Sequence, residues 1–362
     1  MIVSTAGFSG TGSSAVNEFL AEFEENQVYS RDEFIISYCP DGIEDLDYHL
    51  NKGASKFLSS CVAIPRFRKA MNYRLKVETK GKIKELTNAY LDKIIQTSWT
   101  GTGQGQEALH NGFLYQNLGV RINMRISKKM PRKLFEKLHL YPLGKMEFSV
   151  EPDDFYTHTK DYIDSIFLCF GLDLKKNIVL DQAFAGNNPT KSFPYFRNPK
   201  AIVVDRDPRD LYTLFKFVYD RLNYVVPIDN VEDFVTYFLN MHKSMKVNNN
   251  CEDVLTLRFE DMVYNYEETT KKIVDFLGLH EHTTPKKYFI PEQSMINTQV
   301  YKKHPEISDD IKYIETHLSD YLFDFDKYEY KPSISEEFVF NPNVEHGLFS
   351  IKRLFSKKKK YQ

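Results

Sequence analysis

The chain has 362 residues, 42% hydrophobic and 27% charged, which supplies a sizeable core and excludes global disorder. A net charge of −2 gives no support to general nucleic-acid binding. The four cysteines, Cys39, Cys61, Cys169 and Cys251, form no C-x-x-C pair and no Cys/His cluster. No metal site or disulfide framework is therefore expected, and a reducing compartment is.

The apolar run Met1-Ile2-Val3 predicts a strand that starts at the first residue, leaving no room for a signal peptide. No apolar run reaches membrane-spanning length, so a cytoplasmic setting is expected. The run leads into Gly7-Phe8-Ser9-Gly10-Thr11-Gly12-Ser13-Ser14. Apolar residues at 15, 16, 19, 20 and 23 then follow helical spacing. Strand, glycine-rich turn and helix is the context in which backbone N–H groups converge on one anion, helped by the helix N-terminus. The spacing is G-x-x-x-x-G-S-S, with Ser13 where a nucleotide triphosphatase carries lysine. The hydroxyls of Ser9, Thr11, Ser13 and Ser14 suit a smaller anion, such as a 5′-phosphate bearing a sulfonate. The alternative is an ordinary strand-to-helix turn.

Residues 27–36 read as a second strand with charged residues at its centre. Ligands of open α/β sheets bind beyond the carboxyl ends of the strands, so Glu33 would face the anion loop. Asp41, Glu44, Asp45 and Asp47 suit a turn and an acidic helix start. Residues 55–140 are basic and helical in pattern, with Arg66, Arg68, Lys69, Arg74, Lys76, Lys80, Lys82 and Lys84 in one run. That run is either a solvated helix face or a surface for an anionic acceptor such as a sugar polymer or lipid-linked glycan. Residues 99–106, with glycines at 101, 103 and 105, read as a flexible loop and 148–154 as a connector. A helix is expected over 155–170.

In the second half, 177–182 predicts a short buried strand. Ala201-Ile202-Val203-Val204 predicts a central parallel strand with Arg206 at its carboxyl end and Pro208 opening a helix that runs to 224. Arg206 would there fork onto a phosphate, or else pair with Asp207 or Asp210. Residues 254–259 predict another strand, and Asn265 with Glu268 a capping box for a helix ending at Gly278. A last helix is expected over 306–324. The tail, 336–362, sets six cations (Lys352, Arg353, Lys357 to Lys360) beside apolar residues. It would either lie on an anionic membrane surface or serve as a solubilising end.

These pieces resemble the sulfotransferases that use 3′-phosphoadenosine 5′-phosphosulfate (PAPS). The loop at 7–14 is similar to their 5′-phosphosulfate loop. Arg206-Asp207-Pro208-Arg209-Asp210 is similar to their 3′-phosphate segment R-[DN]-P-x-D. Leu257-Arg258-Phe259-Glu260-Asp261-Met262 followed by Phe276-Leu277-Gly278-Leu279 is similar to R-Y-E-D-L…F-L-G-L. Ser294, Asn297, Tyr301 and Lys302 match a looser S-x-x-N-x-G-x-W-K segment. Together they cover roughly residues 1–25 and 176–325.

The resemblance implies an α/β fold, a P-loop-type parallel sheet flanked by helices, with a helical insertion in the first half. It implies one domain over 1–335, in which about 55–150 would bind the acceptor. It further implies a PAPS-dependent enzyme that transfers a sulfuryl group to a hydroxyl or amine of a glycan or other small acceptor, without metal. Gly10, Thr11, Gly12, Ser13 and Ser14 would hold the 5′-phosphosulfate, with Ser9 beside them. Arg206 would bind the 3′-phosphate, and Thr213 and Lys302 would contact the nucleotide. Glu33 is the first candidate for the general base, with His49 and Asp41 behind it. Three positions depart from the pattern: Phe8 stands where the loop carries a cation, Leu214 where a serine follows the arginine, and Gln299 where a glycine is expected. The other readings are a non-catalytic nucleotide-binding protein and a P-loop kinase. Ser13 and the lack of an evident magnesium-binding acid after an apolar strand stand against the kinase.

Overall fold

A computed structural model describes residues 1–29, 31–54, 56–101, 129–131, 133–134, 144–218, 226–243, 251–280 and 282–334. The basic tail at 336–362 and most of the 99–106 segment lie outside the described residues. In chain order the strands are β1 (Ile2–Ala6), β2 (Asn26–Tyr29), β3 (Thr97–Gly101), β4 (Gly144–Phe148), β5 (Asn177–Asp181), β6 (Pro199–Asp205) and β7 (Val254–Arg258). The chain divides into two units, residues 1–37 with 171–362, and residues 38–170.

The first unit is built on a five-stranded sheet in the order β2-β5-β1-β6-β7, with every pairing parallel. The expected α/β class with a parallel sheet flanked by helices is thus observed. β1 is buried along its whole length because it lies between two neighbours and under helices on the faces. Val3, Val179, Ile202, Val204 and Leu257 of the sheet pack with Val16, Phe19 and Leu20 of the helix Ser13–Leu20. Met262 of Phe259–Tyr264 and Ile273 and Leu277 of Tyr266–Leu277 complete that core. A second cluster joins Leu211, Tyr212 and Phe215 to Phe234 and Phe238 of Val231–His242 and to Ile311 and Ile314 of Ser308–His317.

The unit at 38–170 is mainly helical, with the antiparallel hairpin β3–β4. Its helices Lys56–Arg74, Ile83–Ile94 and Phe155–Phe170 share a core in which Tyr90 and Tyr162 stack at 4.7 Å. Both phenols are buried, and each meets a threonine: Tyr90 with Thr159 at 2.9 Å, Tyr162 with Thr87 at 2.8 Å. Burial pushes both phenols far above their usual range.

Several boundaries differ from expectation. β2 ends at Tyr29, and Glu33 falls in a turn before the short 3₁₀ segment Ile35–Ser37, because Phe34 N–H leaves the strand direction to donate to Asp181 O at 2.8 Å. Trp99 lies in β3, paired with Met146, not in a loop. After Pro208 the α-helix runs only to Thr213 and continues as a π-helical turn to Val218. Asn265 does cap Tyr266–Leu277, but without a side-chain cap bond. Its Nδ2 instead donates to Asp261 and the Tyr328 hydroxyl. The last long helix spans Ser308–His317.

Candidate active site at the strand ends

Three strand ends meet around β1, where ligands of open parallel sheets bind. β1 runs into the glycine loop, β5 ends in Asp181-Gln182, and β6 ends in Asp205-Arg206.

The loop takes its shape from left-handed backbone at Ser9, Gly10 and Gly12, with φ of 68°, 67° and 98°. A Cβ on Gly12 would sit 2.6 Å from the Phe259 ring, and one on Gly7 2.2 Å from Thr11 Oγ1, so close approach calls for both glycines and turn geometry for Gly12 as well. Gly12 is the N-cap of Ser13–Leu20 and supplies no side-chain cap bond, so the first-turn N–H groups are capped by no side chain of that residue. Ser9 and Ser14 are exposed at the loop surface. Thr11 is turned inward, accepting from Phe8 N–H at 3.1 Å.

Phe8, at the position of a loop cation, is buried with its ring stacked on His242 at 4.2 Å. His242 stacks in turn on Phe238 at 3.9 Å. Its Nδ1 lies 2.7 Å from Phe238 O and its Nε2 3.0 Å from Asp205 Oδ1. Both partners offer acceptor oxygens, and the loop is backed by this His242–Asp205 pair.

On the β6 side, Arg206 is 1% exposed. Its Nη1 donates to Gly10 O at 3.1 Å, its Nη2 donates to Asn297 O, and its guanidinium lies 4.7 Å from the Phe259 ring centroid. Arg206 therefore bolts the anion loop to the 294–302 segment. Around it Asp207 accepts from Arg209 N–H, from the Arg209 guanidinium and from Phe323 N–H, while its own N–H donates to Glu260. Asp210 accepts from Gln299 N–H at 2.7 Å and Tyr301 N–H at 3.3 Å. Burial pushes the Asp210 and Glu260 carboxyls up, each to about 7, with nearby Asp207 adding to the rise. Thr213 is fully buried with its hydroxyl donating to Arg209 O at 2.7 Å along its own helix. Lys302 is exposed, and its Nζ donates to Gln299 Oε1 at 2.7 Å.

The β5 side is organised differently. Parallel pairing sets Asp181 opposite Thr5. Ser13 Oγ donates to Asp181 Oδ1 at 3.2 Å, and Gln182 Nε2 donates to Ser13 Oγ at 3.2 Å. Gln182 Oε1 accepts from Gly7 N–H at 3.3 Å, closing a relay from the loop to the carboxylate. Gln182 itself has φ 52°, a strained conformation for a residue with a Cβ. Burial raises the Asp181 carboxyl to about 6, with Glu33 adding its charge and the neighbouring polar side chains of Ser13, Thr5 and Asn17 opposing. Glu33 is itself raised, first by partial burial and then by Asp32. An acid does therefore follow an apolar strand at the loop, contrary to the sequence reading. The signal was Ile178-Val179-Leu180 ending in Asp181, the same pattern that singled out Arg206.

His49 and Asp41 belong to the unit at 38–170. His49 sits in the π-helical turn Tyr48–Lys52 with its Nδ1 buried and without a hydrogen-bond partner among the described residues. Asp41 is paired with Arg66. Arg68 of the cationic run forks onto Glu147 at 2.8 and 2.9 Å. Burial alone would raise Glu147, but the bonds from Arg68 and Lys145 outweigh it and hold the carboxyl below its usual range. Among the described residues no group of His, Cys, Asp and Glu is arranged to hold a metal ion, and no helix is long and apolar enough to cross a membrane.

No family model matches the chain, and no curated protein matches it. Among solved structures it is similar to a sulfotransferase domain from the curacin biosynthetic pathway, at 12% identity over 78% of this chain and 74% of that one, with a TM-score of 0.34. A sulfotransferase domain of a Synechococcus olefin synthase gives 12% identity over 88% and 94%, with a TM-score of 0.37. Retinol dehydratase in complex with androsterone and inactive cofactor PAP gives 13% over 90% and 83%, with a TM-score of 0.33. The functional reading rests on the geometry of the loop and strand ends.

Proposed function

We propose that this protein is a sulfotransferase, moving a sulfuryl group from PAPS to a hydroxyl or amine of a glycan or other small acceptor. The observation that carries the reading is Arg206 bridging Gly10 O and Asn297 O, because it draws the glycine loop, the end of β6 and the 294–302 segment into one site. The donor set fits a 5′-phosphosulfate. It comprises left-handed glycine backbone, helix first-turn N–H groups, and the outward hydroxyls of Ser9 and Ser14.

When bound, PAPS would supply the sulfuryl group and a phosphate leaving group. In this reading Gly10, Gly12, Ser9 and Ser14 hold the phosphosulfate, and Ser13 links the loop to the β5 carboxylate. Arg206 acts by holding the loop and the 297 segment in register, since its Nη donors reach carbonyl oxygens. Lys302, exposed at the end of that segment, provides a cation to the nucleotide. Transfer of this kind relies on positioning and on stabilising the leaving group more than on covalent chemistry in the protein. The acceptor is proposed as a glycan or lipid-linked glycan, and the setting as the cytoplasm.

A second reading is favoured by one contact: an acid at a strand end hydrogen-bonded to a loop serine also suits magnesium-assisted phosphoryl transfer. Calorimetric titration of the protein with adenosine 3′,5′-bisphosphate and, separately, with ATP–magnesium discriminates the two. Binding of the bisphosphate in preference to ATP–magnesium is expected, and the reverse preference overturns the sulfotransferase reading. Incubation with sulfur-labelled PAPS and a glycan panel then separates an enzyme from a binding protein.

A further inference from the structure

The β5 end carries a group that the nucleotide-holding role does not use. Asp181 is half-buried at the carboxyl end of its strand, next to β1 in the sheet and one hydrogen bond from the loop. Ser13 donates to its Oδ1. Thr5 Oγ1 lies 3.4 Å from the same oxygen but has one proton, and the shorter 2.9 Å contact to Asn17 Oδ1 takes it. The carboxylate is thus oriented through Oδ1 by a relay that starts at Gly7 N–H and passes through Gln182 and Ser13. Phe34 N–H on Asp181 O ties the 31–36 turn to the same strand end, which sets Glu33 beside it.

We infer that Asp181 is the catalytic base of this site, taking the acceptor's proton on Oδ2, and that Glu33 is a positioning residue acting through it. This rests on the sulfotransferase reading. As the acceptor oxygen forms its bond to sulfur, its proton passes to Asp181, and the electron pair of the breaking sulfur–oxygen bond leaves on the 5′-phosphate. The relay donates to one carboxylate oxygen and so directs the proton to the other. A carboxylate that is too acidic is a poor base, and the site counters this in two ways. Partial burial and the charge of Glu33 both raise Asp181, to about 6. Its other close neighbours, Ser13, Thr5 and Asn17, are neutral, and among the described residues Glu33 is the charged group facing it. Asp181 is the carboxylate that the loop hydroxyl of Ser13 meets directly.

Three measurements test this without knowing the acceptor. Carbon-13 NMR of the full chain labelled at aspartate should show a carboxyl titrating at about 6 that vanishes in Asp181→Asn and moves to lower pH in Glu33→Gln. Release of labelled sulfate from PAPS to water should rise with pH to a plateau along the same limb. Asp181→Asn should lower the plateau by about 10²-fold or more and flatten the limb, whereas Glu33→Gln should slide the limb to lower pH with the plateau kept. Binding of adenosine 3′,5′-bisphosphate should stay within about threefold in both variants, since neither removes a loop donor. A limb that survives in Asp181→Asn overturns the inference while bisphosphate binding upholds the function. Loss of bisphosphate binding by the wild type removes the function itself. A shift of the Asp181 resonance by magnesium chloride alone reassigns the carboxylate to metal holding and also overturns the inference.

Discussion

The two strand ends that flank β1 use their charges in opposite ways. At β6, Arg206, Asp207, Asp210 and Glu260 are 0–1% exposed and hydrogen-bonded to groups inside the protein. At β5, Asp181 and Gln182 are half-buried and Glu33 is exposed, with the charges set against each other. Sealed charges with all partners inside the protein hold a geometry. Charges of one sign left at a rim keep a group ready to change protonation. In the proposed reading, the β6 side of the site positions and the β5 side reacts.

The most severe way to break the comparison is Arg206→Ala. It leaves Gly10 O and Asn297 O without their donor and strips a buried cation from beside two acids, so a loss of about 3–5 kcal/mol is expected, read by urea unfolding. Gly12→Ala should cost about 1–3 kcal/mol in the same measurement, because its φ is 98° and the new Cβ meets the Phe259 ring at 2.6 Å.

Asp181→Asn should behave in the opposite sense, and the sign depends on pH. The folded carboxyl is raised to about 6, above its unfolded value of about 3.9, so its stability contribution is fully present below the unfolded value and is lost as pH rises through about 6. The variant should therefore melt a few degrees above the wild type at about pH 7.5, and the gain should shrink towards about pH 4. An equal gain at both pH values would remove the rim carboxylate from the comparison. The smallest effect is expected for Lys302→Ala. The exposed side chain should change stability by less than about 0.5 kcal/mol while weakening adenosine 3′,5′-bisphosphate binding about fivefold.

Much of the framework was legible because local pattern and burial coincide. Four of the five sheet strands were marked by short apolar runs, and Gly10 and Gly12 by a turn that residues with side chains avoid. Arg206 was legible as a strand-end cation. Its partners were not, because a guanidinium in a fork can meet a phosphate or two carbonyls, and only packing against Phe259 and Asn297 decides. β2 was drawn too long because the charged residues after Tyr29 look like a strand centre. A single backbone bond from Phe34 to Asp181 turns the chain there. Phe8 was visible as a departure, and its stacking on His242, 234 positions on in the sequence, was beyond reach.

By itself, then, the sequence determined a parallel α/β sheet with a glycine loop after its first strand, since period, apolar runs and glycine placement are local properties. The tertiary structure alone decided which charges face inward and which stand at the rim. Register pairs Thr5 with Asp181 across parallel strands, and that contact sets burial, hydrogen bonds and neighbouring charge together. A carboxylate's proton affinity follows from those surroundings, which no run of neighbouring residues encodes.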